Sequence, residues 1–176
     1  QPVIFSSDSE DMISPEEMDR SSMQMIEQLP GIRTFRLTNR IRTNAELSSF
    51  IQHMMHLPHG RSLKGYPHIE VVWANDKDET ENLLNDYMDH GYQYQEGNQQ
   101  VSGKSMEIKD IERLVALLDE RYFYDEGGYL RSARQAENEM SDVRKLFHHL
   151  NQAKENLALI VEGNKVLYSA LLYLLQ

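Results

Sequence analysis

Short apolar runs alternate with capped amphipathic stretches along this chain, and that alternation limits the possible folds more than any other feature. The clearest unit is HIEVVWA, a near-continuous apolar run, followed at once by NDKDETENLLNDYMDHG. The first reads as the most convincing strand of the chain. The second reads as a helix whose start is capped by Asp76 and Glu79 and whose end is closed by Gly91.

The same logic extends over the chain. PVIFSSD predicts a parallel strand with a polar carboxyl end. In ISPEEM, Ser14 suits a helix cap, Pro15 the first helical position and Glu17 a capping box, with Ile13 and Met18 placed as a hydrophobic staple. That helix is expected to run to about Gln28, before Pro30. TFRLT reads as a second strand, after which Asn44 caps a helix carrying Leu47, Phe50, Ile51 and Met54 at helical spacing. YQYQ predicts a short strand, ERLVALLDE a buried one, and YFYDEGGYL a hairpin around Gly127 and Gly128. A long helix is expected from about Arg134, with Val143, Leu146, Phe147, Leu150 and Ala153 on one face. NLALIV is a last core strand, and Asn164 caps a terminal helix with Leu167, Ala170, Leu171 and Leu174.

This order predicts an α/β fold, a mostly parallel sheet flanked by helices, forming a single domain over residues 1–176. Ligands in such sheets sit at the carboxyl ends of strands. Asp8, the turn from Thr38 to Asn44, Asn75 and Asp119 are expected at such ends.

No apolar run reaches the length of a bilayer span, and no cationic leader precedes an apolar stretch at the start. Without cysteine there is no disulfide framework and no thiolate metal site, which fits a cytoplasmic protein. The chain opens at Gln1 and enters an apolar run at once, as a piece cut from a longer chain or a trimmed one would. Formal net charge is −10, so a polyanion would have to meet a local basic patch. The compact basic cluster runs from Arg33 to Arg42. Arg36, Arg40 and Arg42 crowd a strand-to-helix junction beside Asn39 and Asn44, as a phosphate site would require. A salt-bridged surface is the other reading.

Taken in order, VIFSSDSEDMIS, FRLTNRIRTNAELSSFI, IEVVWANDKDETENLLNDYMDHGY, ERLVALLDERYFYDEGGYLR and LFHHLNQAKENLALIVEGN resemble consecutive blocks of one family. That family is the bacterial superfamily 1 helicase-like ATPases grouped as Schlafen group 3-like proteins. The resemblance covers nearly the whole chain and begins just after the place of the family's magnesium-binding Asp-Glu motif. It implies the RecA-like C-terminal half of a helicase core, of P-loop NTPase type but without the P-loop. ATP and Mg would then be held by an upstream domain of the parent chain, with DNA or RNA as a further partner and no membrane partner.

By the same resemblance, Arg42 matches an arginine that contacts the γ-phosphate; its planar, permanently charged fork suits phosphate oxygens. Thr38, Asn39, Arg40 and Asn44 form the surrounding turn, a candidate nucleic-acid contact. Asp8 is kept, but Asp11 stands where the family has a phosphate-sensing glutamine. Ile108, Asp110, Ile111 and Glu112 replace a Gly-x-Glu-Phe-Asp segment. Asn151 and Gln152 replace Thr-Arg, so a second arginine finger is missing. The resemblance thus implies helicase ancestry, and its departures argue against a working motor.

Other signals have plainer readings. GNQQVSGKS has five residues between Gly97 and the Gly-Lys pair, where a P-loop has four. His53, His56 and His59 are spaced for a metal on a helix, but Pro58 interrupts it. NDKDETEN lacks the glycine turn of a calcium loop. Met18, Met23, Met25, Met54 and Met55 read as core filling rather than an adaptable surface. With no nucleophile elbow or metal-ligand set, the chain is expected to be catalytically silent alone. Two functions stand open: a helicase-derived domain completing a nucleotide site held upstream, or a degenerate, non-catalytic module for protein–protein interaction.

Overall fold

The computed structural model describes residues 13–15, 30, 44–60, 65–94, 110–133 and 141–176. The chain divides into two compact units, residues 1–41 and residues 42–176. In the first, Ile13 is buried and Pro15 is helical directly after Ser14, as the proline position predicts. The two strands expected at PVIF and TFRLT lie outside the described residues. The second unit carries the parallel sheet.

Among its described residues the helices are α1 (Ala45–Met55), α2 (Lys77–Asp89), α3 (Asp142–Leu150) and α4 (Lys165–Leu175). The strands among the described residues are β1 (Ile69–Ala74), β2 (Gln93–Tyr94), β3 (Ile111–Leu118), β4 (Tyr122–Tyr124), β5 (Leu130–Ser132) and β6 (Ala153–Glu162). Strands β1, β6, β3 and β2 form one sheet in that order, and every pairing in it is parallel. The fold is therefore α/β with a parallel sheet flanked by helices, an arrangement compatible with a RecA-like domain. Strands β4 and β5 make the separate antiparallel hairpin expected around Gly127 and Gly128.

Side chains alternate between the two faces of a strand, so β6 feeds two cores at once. Ala158 and Ile160 point to one face, where they meet Ala74, Val115 and Leu84 of α2. Leu157, Leu159 and Val161 are completely buried on the other, where α1, α3 and α4 pack. The apolar residues expected on α1, Leu47, Phe50, Ile51 and Met54, are all completely buried. The capping residues also act as expected. Asn44, Asp76 and Asn164 each accept a backbone N–H from the first turn of their helix, and Gly91 sits at φ 86° just past the end of α2.

One helix is shorter than its pattern suggests. The segment from Arg134 to Met140 lies outside the described residues, but Ser141 has ψ 148° and its hydroxyl caps Arg144, so α3 starts at Asp142. Ala153 does not belong to it. The Asn151 side chain closes the helix on the Phe147 carbonyl, the chain turns, and Ala153 begins β6.

The direction of α1 is set by contacts at its two ends. The Glu46 carboxylate, in its first turn, accepts from the His68 backbone N–H at 2.9 Å and from the His68 ring at 2.7 Å, just ahead of β1. At its far end the Met54 carbonyl accepts from the Tyr124 hydroxyl, and Leu57 N–H bonds to the Gly128 carbonyl in the hairpin that follows β3. Helix α1 thus runs with the strands rather than against them. The chain then returns to β1 through Tyr66, which is fixed by the His53 ring at 2.9 Å and by an edge contact with Phe50.

If β6 is the common wall of both cores, truncating it is costly. Ile160→Ala is expected to destabilise the protein by about 2–5 kcal/mol, while Glu155→Ala, on an exposed side chain, leaves the denaturation midpoint nearly unchanged. Urea titration of both variants measures the contrast, and similar midpoints would contradict this packing.

Candidate functional site

The two ends of the parallel sheet differ in chemistry. At the carboxyl ends of β1, β3 and β6 lies a cleft of about 560 Å³. Strand β1 contributes Asn75, Asp76 and Lys77; β3 contributes Asp119, Glu120 and Arg121; β6 contributes Glu162 and Gly163. Asn75 and Asp119 therefore stand where the sequence put them, at strand ends above a crevice.

Their partners show what the cleft does. Both Asp119 oxygens lie 2.9 Å from Nε of Arg121, and Oδ1 also accepts the Arg121 backbone N–H. The hydrogen bond to Asp119 raises the Arg121 pKa further, so that guanidinium stays charged. The second carboxylate on Arg121 is Asp142, 3.8 Å away at the start of α3. Asp76 caps α2, and Glu162 accepts from the Thr80 hydroxyl at 2.7 Å. Glu79 accepts both the backbone and side-chain N–H of Asn75, whose own carbonyl oxygen accepts from the Trp73 indole. Gly163 has φ 68°, and a Cβ there would fall 3.3 Å from a Glu120 carboxylate oxygen. A side chain there is strained by the backbone conformation, and the Glu120 carboxylate would have to shift to admit it.

Two helices, α2 and α4, start at this cleft, and helix starts favour anions. Here a capping side chain takes up one first-turn N–H in each, that of Glu79 in α2 and that of Leu167 in α4. Four carboxylates (Asp76, Asp119, Glu120, Glu162) face two cations (Lys77, Arg121), and one cation is already bound by Asp119. A phosphate group brought here would meet like charge. The cleft is a polar joint between strand ends rather than an anion site.

The amino end of the sheet holds the other candidates that fall among the described residues. Asn44 caps α1 there through Glu46 N–H at 3.0 Å. The Glu46 bonds to His68 hold Asn44 by the start of β1; the strand whose carboxyl end the Thr38–Asn44 turn is expected to follow lies outside the described residues. Gln152 sits immediately before β6. Its N–H bonds to the His149 carbonyl, and its carbonyl accepts from Ile111 N–H at the start of β3. Asp110, from the altered segment, is exposed and pairs with Lys154 at 3.0 Å, while Ile111 is buried. Asn44 and Gln152, distant in sequence, thus share one end of the sheet. Asp8, Asp11, Thr38, Asn39, Arg40, Arg42 and Ile108 lie outside the described residues, as does the glycine-rich stretch from Gly97 to Ser105.

The three spaced histidines do not converge on one point. His53 bonds to Tyr66, while His56 stacks on Tyr129 at 3.9 Å and meets His59 edge-on. Among the described residues no group of three His, Asp or Glu side chains could hold a metal ion. The acidic stretch after β1 is the capped start of α2, and Met54 and Met55 are core.

Sequence reading missed the joint around Asn164. Its amide donates to the carbonyls of Asp119, at 3.1 Å, and Tyr122, at 2.7 Å, while its oxygen caps α4. The signal was available in part, as Asp119-x-Arg121 and Glu162-Gly163-Asn164 both follow apolar strands. Also missed was His149, whose Nε2 is fully buried without a hydrogen-bond partner among the described residues. Burial lowers its pKa.

No protein-family model, curated protein or solved structure matches the chain. Among the described residues no helix is long and apolar enough to cross a membrane.

Two outcomes follow for this region. Asn164→Ala removes a cap and two donors and is expected to cost about 2 kcal/mol; Asn164→Asp keeps the cap and recovers only part of the loss. Equal stability of Asn164→Asp and wild type in chemical denaturation would refute the donor role. Burial lowers the His149 pKa in the fold, whereas the unfolded chain protonates near pH 6.5. Its contribution is complete above that value and is lost as pH falls below it. His149→Leu should therefore flatten the decline in stability between pH 8 and 5, and an unchanged pH profile would contradict the assignment.

Proposed function

We propose that this chain is the C-terminal RecA-like domain of a cytoplasmic helicase-related ATPase. In this reading it completes a nucleotide site held by an upstream domain and couples that site to DNA or RNA. The observation that carries the reading is the shared location of Asn44 and Gln152. Asn44 ends the NRIRTN block, two residues after Arg42, and the resemblance gives Arg42 and position 152 to one phosphate site. Two positions so far apart in sequence fall at one end of one sheet. The parallel α/β architecture is of the type that the resemblance implies.

In this reading ATP and Mg belong to the upstream half, and this chain supplies the Arg42 guanidinium to the γ-phosphate. Gln152 offers a neutral amide where the family has an arginine, so one of two positive charges is absent. Nucleotide would approach the amino end of the sheet, because the carboxyl-end cleft is lined with carboxylates.

Gln152 also favours a second reading, a helicase-derived module that no longer supports hydrolysis and serves protein contacts. One experiment separates the two. In the chain joined to its upstream half, Arg42→Ala is expected to lower kcat by roughly 10³-fold. Equal hydrolysis by variant and wild type would rule out the first reading. No turnover in wild type, with DNA or RNA present, would leave the second.

A further inference from the structure

We draw no further inference here: the strongest candidate, the outward apolar face of α4 where Val166 and Tyr173 stand exposed one above the other, carries nothing because no feature of the structure shows what covers it.

Discussion

The parallel pairing of β6 with β1 on one side and β3 on the other is the constraint on which the rest of this unit depends. From Leu157 to Val161 five successive side chains are completely buried. A run of that kind is stable only when helices cover both faces of the strand. Residues Leu157, Leu159 and Val161 therefore require the layer made by α1, α3 and α4, and Ala158 and Ile160 require α2. The backbone of β6 is bonded to both neighbours, which sets which residues face each other: Ile160 lies beside Val72 of β1 and Leu117 of β3. Once that register is set, the loops leaving the three strands are brought together at each end.

The two ends then acquire opposite roles. At the carboxyl end, each strand finishes in polar residues that bond within their loop or to a neighbouring element: Asp119 to Arg121 in the loop after β3, Glu162 to Thr80 of α2, Asn164 to the loop after β3. These bonds secure the starts of α2 and α4 and leave a cleft with excess negative charge. At the amino end the contacts are of another kind. Backbone bonds from Gln152 join the starts of β6 and β3, and Glu46 joins α1 to β1. The usual preference of open parallel sheets for ligands at the carboxyl ends is opposed here by the electrostatics of the particular residues.

Much of this was legible in the chain. Period and caps located α1, α2 and α4 because their signals are local: an Asn or Asp oxygen facing the first turn, then apolar residues at helical spacing. The continuous run NLALIV announced a strand covered on both faces. The start of α3 was not legible because apolar periodicity after Ser141 carries no information about where the backbone stops being helical upstream; the Ser141 cap decides that. The direction of α1 was not legible, because it depends on Glu46 meeting His68 and Met54 meeting Tyr124, pairs far apart in sequence. Asn75 and Asp119 were placed correctly by topology, yet their chemistry was hidden, since an aspartate at a strand end reads alike whether it awaits a ligand or already holds Arg121.

The charge of the carboxyl-end cleft is open to direct measurement. Amide NMR shifts of the isotopically labelled chain, followed during titration with Mg-ATP, report on each strand end separately. The signals of Asn75 to Lys77, Asp119 to Arg121 and Glu162 to Asn164 should stay in place throughout. Saturable movement of those signals would mean that the cleft accepts phosphate in spite of its carboxylates, and would contradict the division of roles between the two ends of the sheet.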